Sequence, residues 1–151
     1  MNRIIVAVCA LLLTFSYSSA DKLKIGAIPK DSLSDGCGYY FWNEADSNLI
    51  CFDKNFINDT AKININNNII RIIRIKREII KKGKQNFNIG DKTIEIYKNN
   101  EIELKLEYEV IKICPESNPD CESTDYKGKI EMQNIRTKEI ITIKLLGNSG
   151  C

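Results

Sequence analysis

The clearest pattern in the chain is a strict alternation of charged and apolar residues between positions 101 and 110. A period of two over such a stretch indicates an antiparallel strand with one buried face and one face in water. Residues 93–97 alternate in the same way, and Asn99 and Asn100 suit a tight turn between the two stretches, because asparagine tolerates positive φ. The pattern therefore predicts a hairpin, and its second strand carries these apolar side chains: Ile102, Leu104, Leu106, Tyr108 and Val110.

A second hairpin is predicted upstream. Residues 61–66 alternate, residues 66–68 are three asparagines that suit a turn, and residues 69–80 return. The returning stretch is ambiguous, because its isoleucines also fit one face of a helix. Isoleucine forms strands better than helices, and the asparagine turn favours a hairpin, so we expect a strand that ends at residues 82–84.

Four shorter stretches, residues 39–42, 48–52, 127–133 and 139–146, also have the pattern of strands. The last two predict a final hairpin with this inward set: Ile130, Met132, Ile141, Ile143 and Leu145. About seven to eight strands separated by turn signals predict an all-β chain, in the form of a single small antiparallel barrel or sandwich. We expect this domain to cover residues 37–151, behind a flexible leader at residues 21–36.

The N-terminal segment has the features of a secretion signal. A basic residue precedes an apolar run at residues 4–13, and small residues follow just before position 21. A transmembrane anchor is the alternative, but crossing a bilayer takes about 20 apolar residues. Cys9 would allow a lipoprotein, but Val8 is not the small residue that lipidation needs. We therefore expect residues 1–20 to be removed, no transmembrane segment in the mature chain, and a secreted or periplasmic protein.

Cleavage would leave five cysteines, an odd number, and no histidine. Cys114 and Cys121 bracket a loop with two prolines and are expected to pair, and a bridge from Cys37 to Cys151 would join the ends of the domain. Cys51 lies in an apolar run, so we expect a buried free thiol. The alternative is a bond from the odd cysteine to another chain. A zinc site is not expected, because the cysteines do not form paired knuckles and histidine is absent.

Charge is unevenly distributed, although the net charge of the chain is only +2. Residues 71–84 are basic and residues 95–125 are acidic on balance. One interpretation is that the two regions form solvated faces that pair across neighbouring strands. The other is a basic surface for an envelope protein or an anionic envelope polymer, with nucleic acid not expected. The basic candidates for binding are Arg71, Arg74, Arg77, Lys81 and Lys82.

An aromatic run at residues 39–42 is a second candidate surface. In a strand, Tyr39 and Phe41 face one side, and Tyr40 and Trp42 face the other. One pair must enter the core. The other pair is expected to be covered by a loop, or else to form an exposed patch of the kind that marks partner sites. Tyr40 and Trp42 are therefore candidate binding residues.

The residue content argues against catalysis. Without histidine, neither a Ser-His-Asp nor a Cys-His arrangement can form, and no glycine-rich phosphate loop occurs. A glycosidase needs only two carboxylates, but the glutamates at 101–109 have the pattern of the wet face of a strand. Asp46 and Asp53 lack the spacing of a calcium loop. We expect no enzyme activity, no catalytic residue, no metal and no cofactor.

Three motifs frame the predicted domain. They are Gly-Cys-Gly-Tyr-Tyr-Phe-Trp at 36–42, Cys114 and Pro115 followed by Cys121, and Gly-Asn-Ser-Gly-Cys at 147–151. In these motifs the chain resembles a loose group of small exported, cysteine-containing bacterial proteins. Members of that group often end in Gly-Cys-Gly-Cys, whereas this chain has a single terminal cysteine. The resemblance implies a compact β domain in the periplasm or outside the cell, and it implies no catalytic residues.

These features together predict a secreted or periplasmic, non-enzymatic binding module. One alternative is an inhibitor of an envelope-attacking hydrolase such as lysozyme, which the chain resembles only in size, compartment and fold class. A second alternative is a structural envelope component, joined to another chain through the odd cysteine. A third is a hydrolase that uses two carboxylates in one cleft.

Overall fold

The computed structural model of the protein describes residues 22–84, 88–114 and 123–150. The predicted signal segment, residues 1–20, lies outside the described residues, as do Cys121 and Cys151. In the described part of the chain, no helix has the length and apolar composition needed to cross a membrane.

The regular structure of these residues is almost entirely β, with one turn of 3-10 helix at Lys30–Ser32. The strands are β1 Ile25–Gly26, β2 Gly38–Asn43, β3 Asp46–Asn55, β4 Thr60–Ile65, β5 Asn68–Ile80, β6 Lys92–Lys98, β7 Ile102–Ile113, β8 Thr124–Asn134 and β9 Ile140–Gly150. From β2 onward each strand pairs antiparallel with the next, and β2 pairs with β9, so eight strands close into a barrel. The short β1 pairs with β4 from outside. The all-β prediction is confirmed, in its barrel form.

Asparagine turns connect two of the hairpins. Asn66 and Asn67, between β4 and β5, have φ angles of 50° and 65°, which asparagine adopts more readily than most residues. Residues 69–80 therefore return as a strand, and the helical alternative is wrong. Between β6 and β7, the Asn99 side chain accepts hydrogen bonds from the backbone N–H groups of Glu101 and Ile102, each at 2.8 Å. Both predicted hairpins are confirmed.

Apolar side chains fill the barrel at the end where these two asparagine turns lie, which we call the closed end. On β7 the five predicted apolar residues between 102 and 110 are all buried. On the last hairpin Ile130, Met132 and Leu145 are buried, while Ile141 and Ile143 pack partly buried against the core. The predicted inward set is therefore confirmed.

Phe41 of β2 enters the barrel beside a glycine of β9. Its ring lies 6.0 Å from the ring of Phe52, centroid to centroid. A Cβ atom at Gly147 would meet the Phe41 ring. Glycine at this position therefore leaves the space that the aromatic side chain occupies.

Residues 22–36, which the sequence predicts to be a flexible leader, lie against the outside of the barrel. Leu23 and Ile28 are buried, and the backbone N–H of Ile28 donates to the carbonyl of Ile50 at 2.7 Å. Ser34 donates its backbone N–H to the buried carboxylate of Asp53 at 2.7 Å. This segment thus covers outward groups of β3, and its predicted flexibility stays a prediction.

Cys51 on β3 is a free, fully buried thiol, as predicted. Its Sγ atom lies 3.6 Å from the carbonyl oxygen of Phe41. Burial raises the pKa of this thiol to about 12. The predicted partners of Cys37 and Cys114 lie outside the described residues, so no disulfide joins two described cysteines and both bridges stay predictions.

Candidate functional site

The two ends of the barrel are built differently. Tight turns close one end, whereas the strands at the other end, which we call the mouth, are joined by residues 56–59, 81–91 and 114–123. The start of β2 and the end of β9 also lie at the mouth, because their first and last residues, Gly38 and Gly150, are paired. The mouth is therefore where the described barrel interior can meet solvent.

A buried carboxylate lies inside the barrel between the two ends. On β6, Thr93, Glu95 and Tyr97 face inward because they pair with the inward residues of β7. Glu95 is fully buried, and its direct partner in the sheet is Leu106. The alternation of residues 93–97 alone does not show which face points inward, so Glu95 was not among the candidate residues predicted from the sequence.

Four side chains from three strands surround the Glu95 carboxylate. The ammonium group of Lys54 on β3 donates to both of its oxygens, at 2.8 and 2.9 Å. Arg74 on β5 donates to Oε1 at 2.8 Å, and the hydroxyl of Tyr97 donates to Oε2 at 2.7 Å. The Nε atom of Arg77 lies 3.4 Å from Oε1. Each carboxylate oxygen thus accepts two hydrogen bonds, as a buried charge requires.

The cluster holds more positive than negative charge. Burial lowers the pKa of Lys54 to about 8, and Glu95 offsets part of this effect. Burial by itself would raise the pKa of Glu95, but Lys54, Tyr97 and Arg74 hold it below its ordinary value. Lys54 also lies 4.2 Å above the ring of Tyr39, in a cation–π contact. At neutral pH three cations therefore surround one carboxylate inside the barrel.

A cavity of about 300 Å³ opens between this cluster and the mouth. Its wall contains three tyrosine rings, those of Tyr39, Tyr108 and Tyr126. The rings lie 5.2 to 6.0 Å apart, centroid to centroid, so they form one aromatic surface. Val110 and Ile79 add apolar surface to the cavity.

The hydroxyl groups of these tyrosines differ in their bonding. The hydroxyl of Tyr126 forms a hydrogen bond of 2.8 Å with the hydroxyl of Ser149. The hydroxyl of Tyr108 is buried and forms no hydrogen bond of acceptable geometry with any described residue, although Thr93 lies beside it. Burial raises the pKa of Tyr108 well above its ordinary value, so this hydroxyl keeps its proton and can donate it to a hydrogen bond.

Three of the five basic candidates lie at this site. Arg74 enters the barrel and binds Glu95, while Arg77 and Lys81 line the cavity. Arg71 instead lines a polar hollow of about 250 Å³ on the outside of the barrel. Lys82 is exposed, and its backbone N–H donates to Asp91 at 2.6 Å. The basic stretch is therefore divided between the two faces of the barrel wall.

Tyr40 and Trp42 lie on the outer face of β2, away from the cavity, while Tyr39 and Phe41 belong to the core. The hydroxyl of Tyr40 donates to the carbonyl of Ser34 at 2.9 Å. The segment before β2 thus covers Tyr40, in agreement with the favoured prediction for the outward pair. Trp42 is half-buried.

The acidic outer face of β7 pairs with lysines of neighbouring positions rather than with the basic stretch. Glu107 lies 3.6 Å from Lys105 and 3.7 Å from Lys129, and Glu109 lies 3.8 Å from Lys92. Four of these side chains, Glu107, Glu109, Lys92 and Lys129, also border a hollow of about 380 Å³. The predicted solvated pairing between the basic and acidic regions is therefore wrong for this face. The pairing between the basic and acidic regions runs through Glu95 and is buried, not solvated.

No protein-family model, curated protein or solved structure matches this chain. The resemblance to a group of exported bacterial proteins therefore stays a prediction. Among the described residues, no group of three or more histidine, cysteine or carboxylate side chains is placed to hold a metal ion.

Proposed function

We propose that the protein is a non-enzymatic binding module that holds a small ligand in the cavity at the mouth of the barrel. The observation that carries this proposal is the cavity that Tyr108 lines together with Tyr39 and Tyr126, next to a buried Tyr108 hydroxyl that has no partner of acceptable geometry among the described residues. Native proteins seldom bury a polar group without a hydrogen bond. A ligand group in the cavity would supply the missing bond.

The architecture supports the same proposal. Eight-stranded barrels are either filled by side chains or hold one small ligand. Among the described residues, side chains fill this barrel at its closed end, and tyrosine rings face a cavity toward its mouth. Ligand pockets are typically lined by apolar and aromatic groups with a few polar groups that fix orientation. Arg77, Thr93 and the Tyr108 hydroxyl would serve as those polar groups.

We further propose that the protein works outside the cytoplasm, secreted or in the periplasm. The predicted signal at residues 1–20 and the cysteine content support this location. Cys37 and Cys114 stand at the mouth, next to the start of β2 and the end of β7. Bridges from them to Cys151 and Cys121 would fasten the strand ends around the cavity.

An inhibitor of a hydrolase such as lysozyme and a structural envelope component stay the alternative proposals. Both would bind an envelope protein or polymer through the outer surface of the barrel. Under neither alternative should filling the interior cavity change binding of the partner. A substitution inside the cavity therefore distinguishes both alternatives from the proposed binding module.

A cavity-filling substitution tests the proposed function. Val110 and Ile111 are neighbours on β7, but Val110 lines the cavity while Ile111 is exposed. We would screen a library of neutral and anionic organic fragments by NMR, reading the backbone amides of β6, β7 and β8. Val110→Phe should abolish the binding that perturbs mouth residues, and the matched variant Ile111→Phe should keep it. Fragments that perturb no mouth residue of the wild-type protein would refute the proposal.

A further inference from the structure

We infer that the ligand of the mouth cavity is a small amphipathic anion, with one carboxylate-like group and an apolar or aromatic body. This inference rests on the proposed function and adds the chemical class of the ligand. Three features carry it: an excess of positive charge, donors that have no acceptor, and an aromatic wall of limited size.

The charges around the cavity leave a positive excess. Two cations line the cavity, Arg77 and Lys81, together with one carboxylate, that of Asp91. Deeper in the barrel, Lys54 and Arg74 share the single carboxylate of Glu95. Among the described residues, these four cations against two carboxylates give a net charge of +2. Asp59, which also contacts Arg74, is largely exposed to solvent and offsets little of it.

The carboxylate of Asp91 does not compete with a ligand for the cavity donors. It accepts hydrogen bonds from the backbone N–H groups of Lys82 and Asn88, at 2.6 and 3.1 Å. The ammonium group of Lys81 lies 3.4 Å from it. Asp91 is thus held by the connection between β5 and β6, so Arg77 is the cation whose charge faces the cavity.

Arg77 has donors to spare. Only its Nε atom approaches Glu95, and its terminal amino groups form no hydrogen bond with another described residue. The side chain is 37% exposed, so it reaches from the buried cluster into the cavity. A guanidinium group binds a carboxylate with two parallel hydrogen bonds, because the geometries of the two planar groups match.

The hydroxyl of Tyr108 is a second donor without an acceptor. The Tyr108 residue lines the same cavity as Arg77, with this hydroxyl buried behind the cavity surface. An anionic group placed between them would accept from both, whereas a purely apolar ligand would leave the hydroxyl unsatisfied. A hydrogen bond between a neutral donor and a charged acceptor contributes about 1.5–3 kcal/mol, so each donor should change affinity by about 10- to 100-fold.

The rest of the cavity selects the body of the ligand. The rings of Tyr39 and Tyr126, with Val110 and Ile79, present apolar surface that an inorganic anion would not cover. At roughly 30 Å³ for each heavy atom, the volume of liquid water, a cavity of about 300 Å³ holds about ten non-hydrogen atoms. Octanoate has this size and this chemistry, and it serves as the probe.

The experiment compares three probes by isothermal titration calorimetry: octanoate, octanol with the same chain but no charge, and acetate with the charge but no chain. Octanoate should bind about 10-fold or more tightly than octanol, and acetate should show no measurable binding. Arg77→Gln should lower the affinity for octanoate to the affinity for octanol. Its matched control on the same strand, Arg71→Gln, faces outward and should bind octanoate like the wild type. Tyr108→Phe should weaken the binding of octanoate but not that of octanol. The control Tyr40→Phe should change the binding of neither probe.

The outcomes separate this inference from the proposed function. Equal affinities for octanoate and octanol, or an unchanged preference in folded Arg77→Gln protein, would overturn the anionic class and leave a binding cavity. Failure of both probes, while the fragment screen finds other mouth ligands, would overturn the amphipathic class alone. Failure of the probes and of every fragment at the mouth would overturn both proposals. The NMR spectrum of each variant shows whether it is folded.

Discussion

Replacing Glu95 by glutamine should be among the most damaging single changes in this barrel. Glu95 is fully buried and accepts from Lys54, Arg74 and Tyr97. Glutamine has nearly the same shape but no charge, and it turns an amide N–H₂ group toward one of the donors. The Lys54 side chain is only 4% exposed, so its ammonium group would be left buried without a counter-charge. Removing one partner of a buried ion pair costs about 3–5 kcal/mol.

The magnitude should depend on pH in a defined way. Glu95 supplies the largest effects that keep the pKa of Lys54 as high as about 8. In Glu95→Gln the pKa of Lys54 should therefore fall further, and the amine can lose its proton near neutral pH. The deficit relative to wild type should thus shrink as the pH rises toward about 8, because the variant alone loses its cation there, and it should stay constant above about 8, where the wild-type amine is neutral as well.

Urea denaturation followed by circular dichroism measures this loss as a shift of the midpoint at constant slope. The double variant Lys54→Met/Glu95→Gln should recover most of the loss, with a coupling energy of about 2 kcal/mol or more. The matched control is Glu103→Gln on the outer face of β7. Glu103 pairs with Lys98 at 3.1 Å with both side chains half exposed, so its loss should change stability by less than about 1 kcal/mol. Equal effects of the two substitutions, or no recovery in the double variant, would refute the buried cluster.

Three further predictions concern other buried groups. In the wild type, the free energy of unfolding should rise as the pH increases from about 8 to 10.5, the folded-state and ordinary pKa values of Lys54, because the unfolded chain binds more protons in this range. Urea titrations of Lys54→Met should show no such rise. Tyr108→Phe should stabilise the ligand-free protein by about 1–3 kcal/mol, because it removes an unsatisfied buried hydroxyl. Tyr126→Phe loses a hydrogen bond to Ser149 and should destabilise the protein in the same urea denaturation. Cys51 should resist iodoacetamide in the native protein and react once the protein is unfolded, because burial raises its pKa to about 12. Mass spectrometry of the peptides measures the labelling, and rapid labelling of the native protein would contradict a buried thiol.

The inward position of Glu95 was within reach of the sequence. The apolar residues of β7 have even numbers, and a tight turn at Asn99 and Asn100 pairs even positions with odd ones. Paired residues of an antiparallel hairpin share a face, so Glu95 must face inward with Leu106. The alternation of isoleucines in β6 conceals this, because Ile94 and Ile96 point outward.

The inward position of both arginines was not within reach. Regular alternation from Arg74 would place Lys76 inward and Arg77 outward. The structure has an irregularity in β5 between Arg74 and Lys76, after which Arg77 pairs with Glu95. A β-bulge of this kind shifts the faces of every later residue, and no glycine or other local signal in residues 74–77 marks it.

The leader shows a different limit of sequence reasoning. Residues 22–36 are polar in composition, which suggested a loose segment, but Leu23 and Ile28 anchor it to the barrel. Asp53 gives the complementary signal, since a charged residue within an apolar strand needs a partner. One partner, Lys62, lies directly opposite on β4 at 3.7 Å, whereas the other, the backbone N–H of Ser34, is distant in sequence and was not identifiable from local pattern.

Intermolecular NOEs between octanoate and the aromatic rings of the protein test directly whether the ligand binds inside the barrel. Octanoate in the mouth cavity should show contacts from its methylene protons to the rings of Tyr39, Tyr108 and Tyr126, and none to Trp42 on the outer face of β2. Contacts to Trp42 alone, or to side chains of the hollow beside Glu107 and Lys129, would show that the ligand binds outside the barrel and would contradict an interior binding site.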